Sequence, residues 1–153
     1  MFDDKVAVIT GAGSGIGRAL AIQLAEAGAR LALSDINRAA LDETLGRLPK
    51  GRRKSRPRVK GYTLDVASAE AVFAHADEVR SDFGTAHFVF NNAGATIVGT
   101  VDQTSIEEYE WQLGINMWGV LYGTKAFLPM MLAQREGCIV NISSIFGLIG
   151  YPA

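Results

Sequence analysis

Val6-Ala7-Val8-Ile9-Thr10-Gly11-Ala12-Gly13-Ser14-Gly15-Ile16-Gly17-Arg18 is the stretch that decides how the rest of the chain is read. A run of β-branched and small apolar residues predicts a buried strand, and it breaks at a glycine cluster that opens directly onto Ala19-Leu20-Ala21-Ile22-Gln23-Leu24. The glycines let the backbone turn sharply and approach an anion with no Cβ in the way. The unpaired N–H groups and positive dipole of the helix start attract that anion. Strand, glycine turn and helix therefore form a phosphate-binding arrangement, and the expected ligand is a dinucleotide. The alternative is a tight strand-to-helix turn that needs small residues for packing alone.

Outward from this turn, Gly28 closes the first helix and Arg30-Leu31-Ala32-Leu33-Ser34 predicts a second strand ending at Asp35. Asp35 lies eighteen positions beyond Gly17. A carboxylate there, at the end of the next strand, is placed to accept hydrogen bonds from the adenosine ribose hydroxyls. It would repel a 2′-phosphate, which favours NAD over NADP. The alternative role is an N-cap for the helix starting near Asn37, and Arg38 is the dissenting residue, since a guanidinium there would accept a 2′-phosphate.

A third strand is expected over Val59–Leu64, ending at Asp65-Val66, and an amphipathic helix from Ser68 to about Phe83. The fourth strand, His87–Phe90, runs into Asn91-Asn92-Ala93-Gly94. A capping box at Thr104–Glu107 opens a helix, and a further long helix passes through Asn116 to about Arg135, with Pro129 as a kink and Gly137 as its stop. The last strand, Cys138–Ile142, ends at Ser143-Ser144. Gly11–Gly17, Asp35, Asp65, Asn91–Gly94 and Ser144 each fall at the carboxyl end of an expected strand, where open α/β sheets bind ligands. The alternation of strands and helices predicts a parallel, doubly wound sheet.

With 153 residues the chain reads as one domain, long enough for a real core. A net charge of −1 gives no global preference for nucleic acid or anionic membranes. Seven basic side chains fall within Lys50–Lys60, a stretch interrupted by Pro57. It reads as a solvated loop at the sheet end opposite the cofactor, with polyanion binding as a minor alternative, so a nucleic-acid partner is not expected. The single cysteine, Cys138, excludes an intramolecular disulfide and reads as a small buried hydrophobe, which fits a reducing, cytoplasmic setting. The N-terminus has no secretory pattern and no apolar stretch reaches the length of a membrane span. His75 and His87 have no metal-ligand partner at useful spacing, and no metal site is expected.

The glycine cluster does not match the common dinucleotide fingerprint, whose glycines stand at first, third and sixth positions. It reads Thr10-Gly11-x-x-x-Gly15-x-Gly17 instead. With Asn91-Asn92-Ala93-Gly94 after the fourth strand and Ser143-Ser144 after the fifth, it resembles the short-chain dehydrogenase/reductase family over essentially the whole chain. The resemblance implies a Rossmann-type sheet of five strands in order 3-2-1-4-5, without the last strands of the family fold. It implies a cofactor-binding set of Thr10, Gly11, Gly13, Ser14, Gly15, Ile16, Gly17, Asp35, Asp65, Val66, Asn92, Ala93 and Gly94, with Asp65 on the adenine amino group. In the family, an asparagine placed like Asn116 holds a water of the proton relay, and a serine placed like Ser144 hydrogen-bonds the substrate carbonyl.

The implied activity is NAD(P)-dependent hydride transfer between an alcohol and a ketone or aldehyde, on a small-molecule substrate and within a homo-oligomeric parent. The family's general acid is a tyrosine followed four residues later by a lysine, about a dozen residues after the serine. The sequence stops nine residues after Ser144. Tyr151 is too close to the serine and is followed by Pro152, so it is not assigned that role. Residues 1–153 are thus expected to form one dinucleotide-binding domain, incomplete at its C-terminus and with little turnover alone. The rival reading is a non-catalytic dinucleotide-binding module.

Overall fold

Five strands, successive ones separated by at least one helix, lie side by side in parallel. The computed structural model describes residues 1–49 and 59–149. In chain order these are β1 (Val6–Thr10), α1 (Gly15–Glu26), β2 (Arg30–Asp35), α2 (Arg38–Arg47), β3 (Val59–Thr63), α3 (Ala69–Phe83), β4 (Phe88–Asn91), α4 (Ile106–Leu113), α5 (Gly119–Gln134) and β5 (Cys138–Asn141). A π-helical turn, Gly114–Trp118, joins α4 to α5, and a 3₁₀ turn, Ile145–Gly147, follows β5. The sheet order is β3-β2-β1-β4-β5, as expected from the resemblance. Of the basic stretch, Lys50–Arg58 lies outside the described residues, as does Tyr151.

The central strands are apolar on both faces because both faces are covered. Val6 and Val8 of β1 join Ala32, Tyr62, Val89 and the α3 and α5 residues Val79, Phe83, Phe127 and Met131 in one core. Ala7 and Ile9, one residue out of phase, join Leu31, Leu33 and the α1 and α2 residues Ala21, Leu24 and Leu41 in the other. Helices α1 and α2 thus cover one face and α3 and α5 the opposite face. Each fully buried Val, Ile, Leu or Phe here contributes on the order of 1.5–3 kcal/mol. Truncating one of them, such as Phe127, would cost about 3–5 kcal/mol.

Helix starts follow local chemistry. Asn37 caps α2 by accepting from the Ala40 N–H at 3.1 Å, and Ser68 caps α3 by accepting from the Ala71 N–H at 3.2 Å. The winding direction reverses between β1 and β4, which opens a crevice at the carboxyl edge of the sheet.

Several local expectations need correction. The capping box forms one residue later than expected, between Ser105 and Glu108. Strand β4 starts at Phe88, one residue later than expected, and His87 before it also accepts the Val6 N–H on Nδ1 at 3.1 Å. Helix α5 runs through Pro129 and ends at Gln134, with Arg135 as a left-handed cap at φ 56°. Gly137 is not the stop: it packs against Met131, whose Cγ would lie 2.5 Å from an added Cβ. Cys138 is exposed, not buried, because β5 is an edge strand with none of its residues buried.

Candidate functional site

At the end of β1 the chain turns through Gly11 and meets β2 twice. The Ala12 N–H donates to the Ser34 carbonyl at 3.0 Å, and the Gly13 N–H donates to Asp35 Oδ2 at 2.8 Å. Helix α1 then begins at Gly15 with no acidic residue in its first turn and no side-chain capping bond from Ser14. Its first N–H groups have no intrahelical partner. Ser14, Gly15 and Ile16 are exposed, so the positive end of the helix faces open space. A Cβ on Gly15, which has φ +49°, would meet nothing within 4 Å, whereas one on Gly17 would lie 2.2 Å from the Gly11 carbonyl oxygen. The turn is therefore packed tight beneath and open above. A diphosphate fits that cradle through backbone N–H groups alone.

The loop after β4 is sewn to this turn. Thr10 Oγ1 accepts the N–H groups of Asn92 and Ala93, both at 3.0 Å. Asn92 Nδ2 donates to the carbonyls of Thr10 at 2.9 Å and Gly11 at 3.3 Å. Buried Asn91 points to the other side, its Nδ2 donating to Asn141 Oδ1 at 2.8 Å. The two asparagines thus brace β4 against β1 and β5 respectively.

Asp35 sits half-buried beside the turn, with Oδ1 accepting the Asn37 N–H at 2.8 Å. A carboxylate offers about four lone-pair directions, so two backbone N–H bonds leave capacity for ribose hydroxyls. The cap of α2 is Asn37, not Asp35. Arg38 is turned onto protein groups: its Nη2 lies 2.9 Å from Asp42 Oδ1, and its Nη1 donates to the Gly61 carbonyl at 3.3 Å. Asp65 is exposed at the end of β3 and accepts the Ala67 N–H at 2.9 Å, while Val66 is buried with Leu64 and Val72.

Asn116 lies in the π-helical turn, and both ends of its amide engage one backbone unit. Ala95 N–H donates to Asn116 Oδ1 at 2.8 Å, and Asn116 Nδ2 donates to the Ala95 carbonyl at 2.7 Å. Because Asn116 is exposed, the pair fixes the Ala95 backbone rather than rescuing a buried amide. Four residues earlier, Gln112 Oε1 accepts the Ile97 N–H at 2.8 Å. Side chains one helical turn apart therefore hold alternate residues of the loop after β4. Ser144 is exposed after β5, and its hydroxyl accepts the Phe146 N–H at 3.2 Å. The structure thus brings Thr10–Gly17, Asp35 and Asn92–Ala93 into direct contact and joins Ala95 to Asn116, while Asp65 and Ser144 lie beyond the ends of the two outermost strands, β3 and β5.

Two side chains escaped the sequence reading. Gln112 is invisible in it because its partner is a loop backbone. Arg18 bonds the Gly13 carbonyl and two side chains of α2, and the only available signal was a charge facing the inside of an otherwise apolar helix start. Neither histidine belongs to the site. His75 is buried between the rings of Tyr62 and Phe127, at 4.6 and 6.0 Å, and burial pushes its imidazole pKa down to about 4. Among the described residues, no three His, Cys, Asp or Glu side chains cluster as metal ligands. No helix among them is long and apolar enough to cross a membrane.

Fold and turn together define a Rossmann-type α/β protein with an open, uncapped helix start at its first crossover. Residues 5–153 match the short chain dehydrogenase family model, and the chain belongs to that family. It is 53% identical over 151 residues to SadH, named as an oxidoreductase, of Mycobacterium tuberculosis, covering 99% of this chain and 53% of that protein. It is 38% identical to the meso-2,3-butanediol dehydrogenase of Serratia marcescens, covering 97% of this chain and 57% of that one. The chain thus spans about half the length of these curated relatives. Among solved structures, a short chain dehydrogenase/reductase from Burkholderia phymatum in complex with NAD superposes with a TM-score of 0.92 at 42% identity, covering 99% of this chain and 53% of that one. An NAD+-bound xylitol dehydrogenase superposes with a TM-score of 0.90 at 38% identity, covering 99% and 57%.

Proposed function

We propose that the protein is an NAD-preferring oxidoreductase that interconverts an alcohol with a ketone or aldehyde. The observation that carries the reading is the Asp35 carboxylate on the Gly13 N–H at 2.8 Å, which sets a ribose acceptor directly beside an uncapped helix start. The N–H groups of residues 14–17 hold the diphosphate. Asp35 takes the ribose hydroxyls, and Asp65 and Val66 stand where the adenine lies. Ala93 and Gly94, braced by Thr10 and Asn92, let the backbone lie close to the ligand.

When bound, the nicotinamide supplies the hydride donor or acceptor. Around it, the Ser144 hydroxyl hydrogen-bonds the substrate oxygen. Asn116 keeps one hydrogen on Nδ2 and one lone pair on Oδ1 beyond its bonds to Ala95, and these hold the relay water. A positioned proton donor in such a reaction contributes typically 10²–10⁴-fold. A reducing, cytoplasmic setting agrees with the lone exposed Cys138, and a homo-oligomeric whole protein with the family.

Preference for NAD follows from two features. Asp35 repels a 2′-phosphate, and Arg38, the residue that would welcome one, is held by Asp42 and the Gly61 carbonyl. Fluorescence titration of the chain with NADH and NADPH tests this. NADH should bind at least ~10-fold more tightly, a difference of about 1.4 kcal/mol. Equal affinities, or tighter NADPH binding, would overturn the preference.

A further inference from the structure

Arg18, in the first turn of α1, bridges three groups on two elements. Its Nη2 donates to the Gly13 carbonyl and, at 3.0 Å, to Glu43 Oε2, while its Nε donates to Thr44 Oγ1 at 2.9 Å. Thr44 is fully buried and passes its own hydroxyl hydrogen to the Ala40 carbonyl at 3.2 Å, which turns an oxygen lone pair toward Arg18. Glu43 is held in turn by Arg47, and its carboxyl lies below the ordinary range because of that hydrogen bond, with Arg18 adding to the effect. The guanidinium therefore sits in a fitted socket on α2, with four-fifths of its side chain covered.

The consequence lies in the peptide units of the turn. The N–H of Gly13 is taken by Asp35 and its carbonyl by Arg18, so the backbone of this residue is gripped on both sides. In a trans peptide the carbonyl and the following N–H point in opposite directions. Fixing the Gly13 carbonyl toward α2 therefore aims the Ser14 N–H away from α2. The Arg18 charge is met by Glu43, so Arg18 is not the counter-charge of a bound anion.

We propose that Arg18 is a positioning residue for the diphosphate: without touching it, the guanidinium pins the Gly13–Ser14 peptide to α2, so that the turn presents its N–H groups and Asp35 in one fixed arrangement. The proposal rests on the dinucleotide reading above. A lysine cannot replace the fork, because a single ammonium has neither the planar shape nor the span to serve a carbonyl, a hydroxyl and a carboxylate together.

The test is NADH titration of the full chain and its Arg18→Met, Arg18→Lys and Glu43→Gln variants, with ¹⁵N relaxation measured on the ligand-free proteins. Loss of a charge-assisted bridge predicts that Arg18→Met weakens NADH roughly 10-fold or more, and that Arg18→Lys weakens it nearly as much. Order parameters at Gly13–Gly17 should fall in both Arg18 variants while those of β1 hold, a local change that a general loss of stability would not produce. Glu43→Gln should leave NADH affinity unchanged or lower it. A direct contact between Arg18 and phosphate would instead leave Arg18→Lys near native and make Glu43→Gln bind more tightly, and either result overturns the proposal. Native NADH binding with unaltered affinity and order parameters in Arg18→Met overturns it alone. Failure of the native chain to bind NADH overturns the dinucleotide reading together with it.

Discussion

The two halves of the sheet's carboxyl edge are built on different terms. On the β1 and β2 side, all of β1 is buried, and the turn above it is fixed by partners distant in sequence: Thr10 with Asn92, Gly13 with Asp35, Arg18 with Thr44. On the β5 side, no residue of β5 or α4 is buried, Ser144 bonds a backbone N–H two residues away, and Ile145, Phe146 and Leu148 are each more than half exposed. Binding by backbone N–H groups needs a rigid frame, since the groups that recognise the anion cannot change rotamer. In this chain, which spans about half the length of its curated relatives, the turn after β5 is held by bonds within itself, so its side chains can vary without disturbing that frame. The difference implies that substitutions in the first half act on fold and binding together, and those in the second leave both nearly untouched.

The strongest way to break this contrast is Gly17→Ala. The added Cβ would sit 2.2 Å from the Gly11 carbonyl and 2.6 Å from Asn92 Nδ2, so backbone must move. Thermal unfolding should show a loss of about 3 kcal/mol, at the upper end for overpacking. NADH titration should show no saturable binding. Native-like melting and binding would mean that the turn is far softer than its contacts suggest.

Acid probes the frame itself. His75 is neutral in the fold, with its pKa lowered by burial from 6.5 to about 4. Between those values the unfolded chain takes up the proton and the folded chain does not. Stability is therefore full above about pH 6.5, falls as the pH drops toward 4, and levels off below, for a total of roughly 3 kcal/mol. Denaturant unfolding across this range checks it, and His75→Leu should flatten that part of the curve. A native profile already flat from pH 6.5 to 4 would place His75 in contact with water.

Gly15→Ala separates binding from folding inside the first half. Its Cβ meets open space, so the fold should lose only about 1–2 kcal/mol, the cost of a left-handed Ala. If the diphosphate occupies that open space, as proposed, NADH affinity should fall at least ~10-fold, or 1.4 kcal/mol. Unchanged affinity would move the anion elsewhere. The smallest effect is expected in the second half. Ser144→Ala should change stability by no more than about 0.5 kcal/mol, and titration should give a native NADH affinity.

The sequence was most readable where chemistry is local. The glycine turn, the strand leading into it and Asp35 follow from composition and spacing, because a backbone anion site demands small residues in fixed order. The π-helical turn that presents Asn116 was not readable, since Gly114–Trp118 has the same helical periodicity as its flanks. Arg18 and Gln112 escaped because their partners are backbone or side-chain groups reached only through the fold. Cys138 was misjudged although the expected strand order already put β5 at the edge, because its apolar residue type was read without that position.

The most direct measurement is an ¹H–¹⁵N spectrum of the folded chain titrated with NADH. Saturable shifts concentrated at Gly13–Gly17, Asp35 and Asn92–Gly94, with β5 and α4 little changed, are the predicted result. A spectrum that does not move, or one whose shifts avoid the glycine turn, would contradict the assignment of this turn as the dinucleotide site.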